Sequence, residues 1–217
     1  MQLAAVILAA GNGSRLGGVA KALIRLDGVP LVRRLIAALQ GAGITDVVVV
    51  TGTHHEAIAA AVAPSTARLI RNTDAALGQP GSVRLGLQST DPRADAVMVL
   101  LADQALLTAG DLRDLVAAFG CRSGEAFVVP RVDGALRGNP VMVSRAAVQA
   151  ILQSTQFIAC RDYMDAHPHT VSFMETGNDH YRVDIDLPQD LVTVQSRLGV
   201  SVALPEPSDA IGAARSS

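Results

Sequence analysis

The amino-acid sequence predicts a single-domain α/β fold: a mostly parallel sheet with helices on both faces, three layers in all. Three observations predict it. Residues 3–9 (LAAVILA), 46–51 (DVVVVT) and 95–101 (DAVMVLL) are near-continuous apolar runs, the pattern of strands covered on both faces. Segments with apolar residues at helical spacing separate these runs, as βαβ units require. The 217 residues, 49% of them hydrophobic, suffice for one sizeable core and suit one domain better than two.

The elements follow in order. Residues 30–39 (PLVRRLIAAL) read as a helix with Pro30 in its first turn, ended by Gly41 and Gly43. Residues 55–62 form a short Ala-rich helix, stopped before Pro64, and 68–71 a short strand. A loop with Gly78, Pro80 and Gly81 leads into a helix over 82–87 that opens on Ser82. Thr108 caps a helix over 109–119. Residues 126–130 are a strand, Arg137-Gly138-Asn139-Pro140 a turn, and 141–143 extended. Helices are expected over 145–153 and 157–167, short strands over 170–175 and 182–185, and a closing helix over 190–198. The domain is expected to span 1–200. Residues 201–217, with Pro, Ser and Ala and little to bury, are expected to be a flexible tail.

Composition excludes several classes. With 18% charged residues and a net charge of -2, nothing draws the whole chain to nucleic acid or an anionic membrane. The N-terminal apolar run lacks a basic segment before it, ends at Gly11-Asn12-Gly13 and is too short to span a bilayer. A cytoplasmic protein is expected. Cys121 and Cys160 make neither a disulfide framework nor a zinc spacing. His54, His55, His167, His169 and His180 show no metal-ligand spacing and read as solvated loop residues.

In sheets of this kind, ligands bind at the carboxyl ends of the strands. Three features fall there: the loop after Leu8, Asp103 after the third strong strand, and Asp184/Asp186 after a late one. The loop, LAAGNGSRLGGVAKAL, holds three glycine zones, Arg15 and Lys21. Glycines let backbone N–H groups approach phosphate oxygens, Arg15 offers a planar fork and Lys21 a compact charge. Two familiar phosphate motifs fail. The third glycine of a dinucleotide fingerprint would stand at Leu16, and Lys21 lies outside Walker spacing.

The string L-A-A-G-x-x-x-R-x-G followed by Lys21 resembles the signature of the MobA-like nucleotidyltransferases. The likeness continues in order through Gly78–Ser82 of NTDAALGQPGSVRLGL, LLADQAL (100–106), RGNPV (137–141) and VDIDLPQDL (183–191). Ala10, where the guanylyltransferase branch more often has Gly, makes it most similar to the molybdenum cofactor cytidylyltransferases. The resemblance implies a Rossmann-like three-layer sandwich that transfers CMP from CTP to molybdopterin, with pyrophosphate released. It also implies a molybdoenzyme of the xanthine dehydrogenase type as recipient, and neither nucleic acid nor membrane as partner. The departures are Ala105 for Pro, Leu187 for Thr, and a reduced Ala159-Cys160-Arg161 for the stretch that helps hold the acceptor.

Nucleotidyl transfer brings two anions together, so charge must be neutralised and geometry held. Mg²⁺ is usually held by one or two carboxylates plus substrate phosphates. Asp103 and Asp186 are the expected ligands, with Asp184 the alternative. Arg15, Lys21 and Asp103 are the expected catalytic residues. Leu8, Ala9, Ala10, Gly11, Gly13, Ser14, Gly78 and Ser82 join them around the nucleotide. Arg137, Gly138, Asn139 and Arg161 are expected at the acceptor. No general base is needed, because an acceptor phosphate is already ionised near neutral pH. Other readings stay open: a different phosphorylated acceptor such as a sugar phosphate, GTP as donor, or a non-catalytic chaperone for the molybdenum cofactor. A nicotinamide-dependent oxidoreductase on a dinucleotide-binding fold is disfavoured by the glycine spacing.

Overall fold

A computed structural model describes residues 1–205. In chain order the first elements are strand β1 (Leu3–Ala9), the two-residue strands β2 (Arg25–Leu26) and β3 (Val29–Pro30), helix α1 (Leu31–Gly41) and β4 (Asp46–Thr51). There follow α2 (His55–Val62), β5 (Arg68–Arg71), α3 (Gly78–Ser89), β6 (Ala96–Leu101) and α4 (Ala109–Cys121). The chain continues through β7 (Phe127–Val132), β8 (Leu136–Arg137), β9 (Val141–Ser144), α5 (Arg145–Gln153) and α6 (Cys160–Ala166). It closes with β10 (Val171–Thr176), α7 (Pro188–Leu198) and β11 (Val202–Ala203).

The main sheet runs β10-β7-β9-β6-β1-β4-β5, with β8 paired to β7. Strands β6, β1, β4 and β5 are mutually parallel, whereas β9 runs antiparallel to both β6 and β7. The chain moves from β1 outward through β4 to β5, then returns to place β6 on the other side of β1. That reversal opens a crevice at the carboxyl ends of β1 and β6, where a ligand can settle.

Alternation along each strand sends side chains to two cores. Ala5, Ile7, Val49 and Met98 pack with Leu35 and Leu39 of α1, Ile58 of α2 and Leu112, Leu115 and Phe119 of α4. Ala4, Val6, Val50 and Val99 pack with Val83 and Leu87 of α3, Val148 and Ile151 of α5, and Met164 of α6. The three layers are therefore those the apolar runs require. Gly86 lets α3 sit close on the sheet, because a Cβ there would lie 2.4 Å from Val6 Cγ1.

Several boundaries differ from the sequence reading. Helix α3 begins at Gly78 rather than Ser82, because Pro80 falls in its first turn, where a missing N–H costs nothing. Residues 182–185 do not form a strand. A 3-10 turn (Asp179–Arg182) is followed by a single bridge between Asp184 and Gln104. Helix α6 starts only at Cys160, where Asp162 accepts the Ala159 N–H at 3.0 Å. Within the segment expected to be a flexible tail, Val202 and Ala203 form β11, which pairs with β2; residues 206–217 of it lie outside the described residues. Asp27 Oδ1 accepts the Ser201 N–H at 2.8 Å and secures that pairing. A third, smaller core under this minor sheet joins Leu16, Ile24, Leu26 and Leu31 to Ile185 and Val194 of α7.

Candidate active site

A cavity of about 690 Å³ opens at the carboxyl ends of β1, β4, β5 and β6. Leu8, Ala9, Ala10 and Gly11 form one wall, Gly78 and Ser82 of α3 another, and Lys21 and Asp103 stand together on its lining. The glycine loop is held from beneath. Gly13 sits at φ 61°, and its carbonyl accepts N–H groups of Leu16 and Gly18 at 2.8 and 3.0 Å. Leu16 is buried in the minor core, and Ala22 and Leu23 in the α1 core, so the loop is anchored by apolar side chains while Lys21 projects inward. Gly13, Ser14 and Arg15 lie on the loop but do not line the cavity, and the Arg15 side chain is exposed.

Lys21 is the centre of the electrostatics. Its Nζ donates to Asp103 Oδ2 at 2.8 Å and to Asp186 Oδ1, and Arg15 lies 3.8 Å from Asp186 Oδ2. Two aspartates 83 residues apart in sequence therefore converge on one cationic group beside the glycine loop. The backbone arranges this: Gln104 bridges Asp184, and Ile185 N–H donates to the Asp103 carbonyl at 3.1 Å. Burial works against the charge on Lys21, but hydrogen bonds to the two carboxylates outweigh it and hold its pKa above the ordinary value. The Lys21 hydrogen bond holds Asp186 below the usual carboxylate range. Asp184 goes the other way: burial, then the neighbouring charges of Asp103 and Asp186, push it up to about 7.

A divalent cation fits this donor set. Asp103 Oδ1 and Asp184 Oδ1 are buried and accept no hydrogen bond. Unpartnered buried carboxylate oxygens are costly unless a cation meets them, and hard oxygen donors suit Mg²⁺ or Mn²⁺. Among the described residues no three His, Cys, Asp or Glu side chains form a ready cage. Two carboxylates would therefore hold such an ion together with substrate phosphates, where it would neutralise charge on the transferring group.

The expected acceptor residues lie apart from the cavity lining. Asn139 is the one tied to the carboxylates: Gln104 Nε2 donates to its carbonyl at 2.8 Å, and its N–H donates to the Tyr181 carbonyl at 2.8 Å. Gly138 packs against Tyr181, where a Cβ would meet the Tyr181 carbonyl oxygen at 2.7 Å. Arg137 and Arg161 turn instead to Asp165 of α6, at 2.5 and 3.9 Å.

Sequence reasoning missed part of the site. Gly52, Thr53, Arg71, Asn72 and Gln79 also line the cavity. Asn72 donates to Ser82 Oγ at 3.0 Å, and a Cβ on Gly52 would meet the Ala10 carbonyl oxygen at 2.6 Å. Their signal was positional: Gly52 and Thr53 follow β4, Arg71 and Asn72 stand at the end of β5, and Gln79 lies in the first turn of α3, all lining the same crevice. His180, expected to be solvated, is half-buried and contacts Asp111 Oδ2 at 3.0 Å.

A switch-point crevice with a glycine loop, a lysine-linked carboxylate pair and a cavity of nucleotide size defines a nucleotide-binding α/β protein. The chain belongs to the MobA-like NTP transferase domain family, whose model matches residues 5–171. It is 38% identical to the bifunctional enzyme IspD/IspF of Clavibacter michiganensis over 135 residues, 59% of this chain and 32% of that enzyme. It is 27% identical to nicotine blue oxidoreductase of Paenarthrobacter nicotinovorans over 192 residues, 86% of this chain and 93% of that protein. The chain thus spans about a third or less of the IspD/IspF and GlmU proteins it matches, which are 32% and 27% covered. Among solved structures, Rv0371c of Mycobacterium tuberculosis superposes with a TM-score of 0.78 at 21% identity, covering 90% of this chain and 98% of that one. The same protein has been crystallised in complex with manganese, TM-score 0.74 at 20% identity, covering 90% and 99% of the two chains. These likenesses show the fold. Among the described residues no helix is long and apolar enough to cross a membrane.

Proposed function

We propose that this chain is a divalent-cation-dependent nucleotidyltransferase that moves CMP from CTP to molybdopterin. One observation carries the reading: Asp103 and Asp186 converge on Lys21 at the lining of a cavity walled by the glycine loop. An acceptor phosphate oxygen attacks the α-phosphorus, an O–P bond forms, the bond to the β-phosphate oxygen breaks, and pyrophosphate leaves with the electron pair. Lys21 supplies positive charge to the triphosphate and to the pyrophosphate as it departs, and from its part-buried position that charge is worth more than in water; the exposed Arg15 adds a second, more screened charge at the rim. Leu8–Gly11, Gly78 and Ser82 enclose the nucleotide, Gly13 and Ser14 shape the loop behind them, and Arg137, Gly138, Asn139 and Arg161 serve the acceptor beyond the cavity lining. Asp103 with Asp186, or with Asp184, would hold Mg²⁺; the manganese complex of Rv0371c supports a divalent ion in this fold. Ala10 in the first loop supports CTP over GTP.

A second reading rests on the likeness to nicotine blue oxidoreductase, which runs through nearly the whole of both chains. In it the cavity holds a redox nucleotide. Mass spectrometry separates the two. The purified chain is given all four nucleoside triphosphates, Mg²⁺ and extracted molybdopterin, and in parallel reduced nicotinamide with electron acceptors. A cytosine dinucleotide product with stoichiometric pyrophosphate is expected. A guanine product overturns the donor, tight molybdopterin binding without turnover favours the chaperone, and nicotinamide oxidation alone overturns the transferase.

A further inference from the structure

The two carboxylates given to a divalent cation already share a monovalent one. The Lys21 ammonium donates to Asp103 Oδ2 and Asp186 Oδ1, so its charge lies against both carboxylates that a dication would use and leaves only the second oxygen of Asp103 without a partner between them. Its backbone cannot follow a ligand, because it begins a 3-10 turn whose Ala22 and Leu23 are buried in the core. Its four-carbon stem can, since it rises from the cavity lining beside Gly11 and Asn12, where a triphosphate would lie. An ammonium is a point charge with three rotatable donors and moves between carboxylate and phosphate oxygens without a geometric penalty.

We propose that Lys21 is an internal counter-ion that keeps a free divalent cation out of the Asp103–Asp186 pair until a triphosphate draws the ammonium away. Without Lys21, Asp103, Asp184 and Asp186 would face one another with Arg15 beside Asp186 and Arg182 near Asp184 as the remaining cations, and a free dication would be drawn in to relieve their mutual repulsion. With it they stay together, and the cation enters with the nucleotide rather than before it. Cation and nucleotide binding are then coupled through one side chain, each raising the affinity of the other. This rests on the nucleotidyltransferase reading, and specifically on a divalent ion at Asp103.

The test uses Mn²⁺ as the probe, read by electron paramagnetic resonance and calorimetry on the full chain. Mn²⁺ binding is measured alone and with the non-hydrolysable α,β-methylene analogue of CTP. Lys21→Met removes the charge and keeps the stem; Lys21→Arg keeps a charge, and Asp103→Asn marks the site. The wild type is expected to bind Mn²⁺ weakly alone and at least about tenfold more tightly with the analogue, as expected from one charge at contact distance. Lys21→Met is expected to bind Mn²⁺ alone about tenfold more tightly than wild type, with the gain from the analogue largely lost, while Lys21→Arg stays near wild type. Lys21→Gln replaces Lys21→Met if melting shows that variant unfolded. Mn²⁺ affinity in Lys21→Met equal to or weaker than wild type, with Asp103→Asn still abolishing the site, overturns the counter-ion role alone. Mn²⁺ binding untouched by Asp103→Asn, with or without the analogue, overturns the cation reading and this inference with it.

Discussion

Replacing Asp184 by Asn should make the protein more stable at alkaline pH, although it removes a carboxylate from the candidate site. Asp184 Oδ1 is buried with no hydrogen-bond partner, and Asp103 and Asp186 add repulsion, so its pKa rises from 3.8 to about 7. The folded state therefore holds a proton that the unfolded chain has already lost. Stability from this group is full below about pH 4 and is lost as pH rises through about 7. Every tenfold weakening of the acid is worth about 1.4 kcal/mol, so the loss has a ceiling of about 4 kcal/mol, less whatever solvent screens. For a chain of this size each kcal/mol moves the melting temperature by about 2–4 °C. The assay is urea denaturation from pH 5 to 8 in EDTA, which removes divalent ions. Wild type should weaken across that window; Asp184→Asn should not, and should be the more stable protein at pH 8. A variant that loses stability at pH 8, or one that keeps the wild-type slope, would show that Asp184 is not the group that holds the extra proton in the folded chain.

Other outcomes follow from named contacts. Asp111 receives the Asn178 amide at 2.7 Å, contacts His180 and boxes the Thr108 cap, so Asp111→Ala should cost about 2–4 kcal/mol by denaturant titration. Burial opposes its charge, but the His180 and Thr108 hydrogen bonds win and depress its pKa; the stability it gives is present above about pH 4 and lost as pH falls, so the acid limb should be shallower in the variant, where Asp179 and Asp186 still contribute, than in wild type. Gly52→Ala drives a Cβ against the Ala10 carbonyl oxygen; the displacement should cost about 1–3 kcal/mol and weaken nucleotide binding, measured by calorimetry. Arg84 donates to the carbonyls of Ile151, Leu152 and Ser154 at the end of α5, so Arg84→Met should destabilise by about 1–2 kcal/mol and speed amide exchange in that turn, with nucleotide affinity unchanged.

The parts of the fold legible in the sequence were those where one physical constraint dominates. Strands β1, β4 and β6 are covered on both faces, and that alone writes the runs LAAVILA, DVVVVT and DAVMVLL. Asp103 was legible because a carboxylate straight after such a run sits at a strand's carboxyl end. The antiparallel course of β9 was not, since a four-residue buried strand reads the same in either direction. The minor sheet hid in two-residue strands. Its one signal, Asp27-Gly28 at φ 48° and 74°, is the pair that a tight hairpin demands. Arg137 has the right residue type for an acceptor, but Asp165, 28 residues away, takes its guanidinium in this structure. The Asp111–His180 contact spans 69 residues, and no local pattern encodes it.

If Asp103 and its partner carboxylate serve phosphoryl transfer, removing the Asp103 charge must cost turnover more than it costs folding. Pyrophosphate release from CTP with molybdopterin and Mg²⁺, compared between wild type and Asp103→Asn, tests it most directly. A loss of about a hundredfold or more in kcat is expected, with a cooperative melting transition retained in EDTA. Turnover in Asp103→Asn equal to that of wild type would contradict it.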